Sequence, residues 1–395
     1  MLAMLAAVCL IAAACSQAGD AASYAKADSL ALIHCSVIDG TGTPVLDNGT
    51  ILVSKGKIEA VGKYGDVDIP KGYAKLNLKG KYVVPGFINA HVHGAYDEAN
   101  LQNWLKGGVT TVRDLSPTRP LENGYAGEKN KYNGNINDSA IVAGTYIISK
   151  TNGYGGLHID SVADAEKMVK EQVDLGADII KISVEDDCAA RIWNMLSPEE
   201  VKALIETGHK YNKKVSAHIT HAKNLKSAID AGIDDIAHMV VEPLDDGLIK
   251  QVVDKDIYWV PTMELWKGAS RLHSVDYDKQ ALKNLTAFYK AGGKIALGTD
   301  SNGYRVSFDR SFPITEVRQM KKAGMSNIDI IIAGTKNAAH VCDMDKEIGT
   351  LEAGKRADIV IYDGNPLDDI EILAKPSMVM HYGKIAFEKS EEKSE

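Results

Sequence analysis

Between residues 84 and 346 a short apolar run followed by a stretch of helical spacing recurs along the chain. The apolar runs are 87–92, 109–112, 140–148, 178–184, 215–219, 234–240, 257–260 and 294–297. Amphipathic spacing fills the gaps, as at Ala165, Met168, Val169 and Val173, or at Val201, Leu204 and Ile205. A strand that alternates with a helix in this way builds a parallel sheet, because each crossover helix returns the chain to the same edge. Ser197-Pro198-Glu199-Glu200 joins an N-cap serine, a first-turn proline and a capping-box glutamate, so a helix starts there. Eight such units fit an α/β fold, the (β/α)8 TIM barrel, whose active site lies at the C-terminal ends of its strands.

The two chain ends read differently. Residues 29–83 and 347–388 carry short strands and glycine turns, including a hairpin around Lys55-Gly56-Lys57, and are expected to pair as a small β-sandwich domain. Ahead of them, residues 1–14 are uncharged and apolar but too short to span a bilayer, as in a signal peptide. The segment Leu10-Ile11-Ala12-Ala13-Ala14-Cys15 resembles a bacterial lipobox, although no Lys or Arg precedes it. Cleavage before Cys15 and its acylation would leave residues 15–28 as a polar tether, and a charged tail of residues 389–395 closes the chain. The expected location is therefore the bacterial cell envelope, with membrane contact only through a lipid on Cys15. A balance of 45 basic against 53 acidic residues, net −8, repels phosphate backbones, so no nucleic-acid partner is expected. Cys35, Cys188 and Cys342 are too widely spaced to define a disulfide framework.

His91-Val92-His93 ends the first barrel run, and alternation along a strand sends both imidazoles to one side. Two neutral imidazoles suit a transition metal, although an H-x-H pair alone is equally compatible with two hydrogen-bonded histidines. Lys181 lies inside the apolar run 178–184, where an inward ammonium is costly unless it is neutralised or paired with Asp178 or Glu185. His218 and His238 end two further runs twenty residues apart, and Asp300 follows Gly298-Thr299 at the eighth.

The segments VVPGFINAHVHG, GGVTTVRDL, GADIIKIS, VSAHITHAKNLKSAIDAGIDDIAH, WVPT, ALGTDS and GTLEAGKRADIVIYDGNPLDD follow one another in an order that resembles the amidohydrolase superfamily over nearly the whole chain. The likeness is to its imidazolonepropionase-related branch, home of Xaa-Pro dipeptidases and arginine or lysine carboxypeptidases. The resemblance implies six metal ligands, His91, His93, Lys181, His218, His238 and Asp300, holding two divalent ions, with zinc as the expected metal. It also implies a carbamate on Lys181 that bridges them. The implied reaction is cleavage of an amide C–N bond in a dipeptide or N-acyl amino acid by a metal-activated bridging hydroxide, with Asp300 as the catalytic base. Ester, lactone or cyclic-amide hydrolysis at the same metals is the alternative chemistry, and a non-catalytic barrel scaffold the alternative class.

Two departures bear on the small-molecule or peptide substrate. Where relatives carry a Gly-Gly-His-Gly loop after the third strand, this chain has Tyr154 within Thr151-Asn152-Gly153-Tyr154-Gly155-Gly156, and no histidine follows Asp300 closely. Tyr154, His221 and Arg305 are the substrate-binding candidates, with Arg305 or Arg191 able to clamp a carboxylate. Residues 116–139, rich in glycine and asparagine, read either as a flexible lid or as an ordinary surface loop. His34, His158, His209, His273, His340 and His381 have no converging context. A homo-oligomer is compatible with the sequence.

Overall fold

The computed structural model describes residues 24, 27–188 and 191–390, so the signal segment, Cys15, most of the tether and residues 391–395 lie outside the described residues. The first strands are β1 (Ser29–Val37), β2 (Leu46–Ser54), β3 (Lys57–Lys63), β4 (Ala74–Asn77) and β5 (Tyr82–Pro85). The β2–β3 turn is Lys55-Gly56, with φ of 50° and 79°, the two-residue turn whose twist matches the strands it joins.

Eleven strands follow: β6 (Phe87–Val92), β7 (Val109–Asp114), β8 (Ala140–Ala143), β9 (Ile148–Lys150), β10 (Leu157–Ile159), β11 (Ile179–Ser183), β12 (Asp187–Cys188), β13 (Arg191–Ile192), β14 (Lys214–His218), β15 (Asp235–Ala237) and β16 (Tyr258–Val260). Interleaved with them or following them are α1 (Glu98–Lys106), α2 (Gly124–Lys129), α3 (Val162–Asp174), α4 (Pro198–Lys210), α5 (Ala222–Ala231), α6 (Asp246–Asp254), α7 (Met263–His273), α8 (Tyr277–Lys290), α9 (Ile314–Lys322) and α10 (Asn327–Ile332). A π-helical turn over Ala333–Asn337 leads to α11 (Ala338–Val341), and β17 (Ile359–Tyr362), β18 (Met378–His381) and β19 (Lys384–Glu388) end the chain. The capping box expected at Ser197 and Glu200 opens α4. No helix among the described residues is long and apolar enough to cross a membrane.

Strands β6, β7 and β8 pair in parallel, as do β11, β14, β15 and β16. Gly144 links β8 to β11 through a parallel bridge to Ile179. The run expected as one strand over 140–148 divides at this point into β8 and β9. The Gly144 Cα packs so closely on Asp114 that a side chain there would lie 2.6 Å from its carbonyl oxygen, and the Thr145 hydroxyl accepts the Lys181 N–H at 2.9 Å in place of a ladder bond. The expected eighth strand, 294–297, makes a bridge to β16 at Trp259 rather than a named strand. It is held on both sides: Ala296 N–H donates to Trp259 at 3.0 Å and Ala90 N–H donates to Leu297 at 2.8 Å.

Both chain ends feed one eight-stranded sheet in the order β19-β18-β17-β5-β1-β2-β3, with β4 on β1. Bulges in β1 between Ile33 and Val37 mark where its partner changes from β4 to β5. Leu32, Ile51, Ile359 and Met380 share one apolar cluster beneath that sheet. Within residues 116–139, Tyr125 is buried and donates to Gln172 at 2.7 Å, and Asn133 holds Ile141 through both its amide atoms.

Candidate metal centre and active site

Five elements bring the six expected ligands together. His91 and His93 leave the end of β6 with ring centroids 5.3 Å apart, and the His238 ring stands 4.8 Å from His91 and 4.5 Å from His218. Asp300 Oδ1 lies 3.0 Å from His93 Nε2 and 3.2 Å from His91 Nε2. One donor atom each from His91, His238 and Asp300 falls within 4.8 Å of the others. His238 and Asp300 both adopt left-handed backbone, φ 74° and 65°, which costs a non-glycine residue energy and persists only where neighbours hold it. Here the Asp300 N–H donates to the His91 carbonyl at 2.9 Å, and the His238 ring meets the Thr262 hydroxyl at 2.9 Å.

The cluster is nearly dry and under-bonded. Lys181, third of the five residues of β11, is 1% exposed, and its Nζ has no hydrogen-bond partner. Neither sequence-level alternative partner serves it: Asp178 takes Lys129 at 2.5 Å, and Glu185 takes Thr220 and His221. Nδ1 of His91 and Nε2 of His218 are likewise buried without a hydrogen bond, and His91 Nε2 has only the 3.2 Å approach of Asp300 Oδ1. Burial drives the Lys181 amine down to about 7, with the Arg113 charge adding to the effect against Asp235 and Asp300. Burial also holds His91 and His238 well below the usual imidazole range and takes His218 down to about 3. For His93 burial acts in the same direction, but the hydrogen bond and charge of Asp300 outweigh it and raise the ring. The imidazoles of His91, His218 and His238, held neutral by burial, and an amine whose charged form burial disfavours are the donor set a cation needs.

Beside the cluster lies a cavity of about 280 Å³ lined by Tyr154, His221 and Trp266, among others. The Tyr154 ring stands 4.5 Å from His218, on the loop where the family resemblance led to the expectation of a histidine. His221 also lines the cavity, with Nδ1 3.0 Å from Glu185. Arg305 does not reach it. The chain turns through left-handed Asp300 and Asn302, Gly303 packs on Asp300, and Tyr304 takes the inward position, so Arg305 is left exposed. Arg191 is exposed too, with its guanidinium 4.1 Å over the Trp193 ring. The three cysteines among the described residues are free: Cys35 and Cys342 are buried, and Cys188 borders the cavity.

Sequence reasoning missed three features. Glu185, 1% exposed and four residues beyond Lys181, accepts from Thr220 at 2.7 Å and from Asn224 at 3.1 Å while facing His221; its position just beyond the C-terminal end of β11 was the available signal. His273, set aside for want of context, lines the cavity and meets the Tyr304 hydroxyl at 2.9 Å. Arg113 and Asp235, both fully buried, form a two-pronged ion pair at 2.8 and 2.9 Å between β7 and β15.

A model of the amidohydrolase family matches residues 82–386, and the chain belongs to that family, hydrolases of carbon–nitrogen bonds. Among its relatives, ochratoxinase of Aspergillus niger is 28% identical, over 88% of this chain and 84% of that protein. Imidazolonepropionase of a Geobacillus species is 21% identical, over 81% and 84%. A crystal structure of a Xaa-Pro dipeptidase with methionine in its active site superposes with a TM-score of 0.79 at 22% identity, covering 91% of this chain and all of that one, which establishes the shared fold. Family and cluster together define a metal-dependent hydrolase acting on amide bonds.

Proposed function

We propose that this protein cleaves the amide bond of a dipeptide or N-acyl amino acid at a centre of two divalent ions, zinc in this reading. His91, His93, His218, His238 and Asp300 would hold them, together with Lys181 as a carbamate. When bound, the ions supply a Lewis acid for the amide carbonyl and lower the pKa of a water. The observation that carries the reading is a set of buried nitrogens on His91, His218 and Lys181 that make no hydrogen bond, beside His91, His238 and Asp300 donor atoms that lie within 4.8 Å of one another. A neutral Lys181 amine can attack carbon dioxide: its lone pair forms the N–C bond, one N–H proton leaves to solvent, and the product is an anion with two ligating oxygens.

The Asp300 carboxylate accepts the proton of the attacking water and returns it to the leaving nitrogen, so one group serves as base and then as acid. Glu185 fixes the tautomer and direction of His221, which with Tyr154 faces the substrate. This reading takes the fold as a closed (β/α)8 barrel. It is supported by the hydrogen bonds that tie 294–301 to both β16 and β6, with the terminal sheet as a sandwich-like second domain. We propose further, from the sequence, that a lipid on Cys15 anchors the protein in the cell envelope and that the chain forms a homo-oligomer. Metal-loaded protein screened against dipeptides and N-acyl amino acids tests the function: amide turnover supports it, and turnover confined to esters or lactones rejects it.

A further inference from the structure

The cavity beside the candidate metal centre has two unlike sides, and the apolar one is built mainly from α7, with Tyr277 at the start of α8 and Val241 after β15. The Trp266 ring of α7 stands 6.2 Å from the ring of His238, the Tyr277 ring 6.0 Å beyond Trp266, and the His273 ring 6.4 Å beyond Tyr277. Leu265, Ala269 and Val241 fill the same wall. A strip of rings therefore begins at a metal-ligand candidate and ends at the exposed His273. Its position is fixed at the helix start. Left-handed Thr262 binds the His238 ring, and the buried Glu316 carboxyl of α9 accepts the Glu264 N–H at 2.6 Å. No lysine or arginine lines the cavity among the described residues, while Asp187 borders it. A free carboxylate on the substrate has no guanidinium to meet there, whereas an apolar group meets a preformed wall.

We propose that the α7 wall is a specificity subsite for a large apolar, ring-sized group carried next to the scissile amide, and that this group, rather than a charged terminus, selects the substrate. The proposal rests on the amide-hydrolase reading above and names the substrate class within it. Leu265, Trp266 and Tyr277 offer such a group a combined aliphatic and aromatic surface to lie against. Moving such a group from water onto apolar surface is worth about a tenfold to hundredfold gain in kcat/KM over a methyl group.

The test uses the full metal-loaded chain and two series of N-acyl amino acids. One series varies the acyl group from acetyl to benzoyl and to succinyl with the amino acid fixed. The other varies the amino acid from glycine to phenylalanine and to glutamate with the acyl group fixed. A ring in one half should raise kcat/KM at least tenfold over its small counterpart, and the charged group should not. Ala269→Phe, which fills the wall, and Leu265→Ser, which makes it polar, should each lower the ring-to-small ratio at least fivefold. Equal use of small, charged and ring-bearing amides, or a ratio unmoved in both variants, overturns the subsite and leaves amide hydrolysis standing. Turnover of esters alone overturns the amide reading instead, and the same acyl series built on esters then decides the subsite. Should nothing turn over, inhibition of metal-site labelling by benzoate against acetate reads the wall directly, with equal protection counting against it.

Discussion

Arg113→Met removes one half of an ion pair buried between β7 and β15. The guanidinium spans the strands: Nη1 and Nη2 meet Asp235 on β15 at 2.8 and 2.9 Å, Nε donates to Ala90 on β6 at 2.6 Å, and Nη1 reaches Val341 at 2.8 Å. Both side chains are 0% exposed, and without Arg113 the Asp235 carboxylate keeps only Ser216 as a side-chain partner, at 2.8 Å. Leaving a buried charge uncompensated costs about 3–5 kcal/mol, whereas replacing both members by apolar groups is commonly neutral. With a urea m-value of about 3 kcal/mol/M, the single variant should lose about 1–1.7 M in unfolding midpoint. Arg113→Met with Asp235→Leu should recover at least half of that loss. Urea unfolding followed by circular dichroism on metal-free protein gives all three midpoints. A single variant within about 0.3 M of wild type, or a double variant no better than the single, would refute the reasoning.

Asp300→Asn should abolish turnover of every substrate class, since an amide cannot take the water's proton; it should keep part of its metal, and near wild-type kcat/KM would sink the assigned base. Burial pushes the Glu316 carboxyl up to about 8, so its neutral form is favoured in the folded chain. The folded state then holds a proton that the unfolded state releases near pH 4.5. Stability is full below that value and falls as pH rises toward 8. Glu316→Gln should shrink the loss of stability between pH 5 and 8 by at least about 1 kcal/mol, and an unchanged slope in thermal or urea unfolding would speak against it. Cys15→Ser should move the protein from the detergent phase to the soluble fraction without changing turnover; unaltered partitioning would defeat the lipid anchor.

The convergence of the histidine and aspartate side chains was legible because they sit at strand ends, where alternation and the parallel-sheet rule decide which way a side chain faces. His91, His93, His218, His238 and Asp300 all come together as expected. Lys181 was legible for a different reason, as a charge inside an apolar run. The substrate side was not, because it depends on how loops turn. Two left-handed residues, Asp300 and Asn302, swing Tyr304 inward and Arg305 outward, and nothing local to Arg305 records that. His273 meets Tyr304 across 31 positions of chain, and Arg113 meets Asp235 across 122, so neither pairing has a sequence period to betray it. The single run 140–148 misled for a related reason, since Thr145 substitutes a side-chain bond for a ladder bond.

Metal content measured against activity tests the central claim most directly. Elemental analysis across a zinc titration of metal-free protein, with amide turnover recorded at each point, should show activity reaching its plateau at two ions per chain. Lys181→Ala should lose most of both. Full activity at one ion or none, or a Lys181→Ala variant with wild-type metal and turnover, would contradict the site proposed for these six residues.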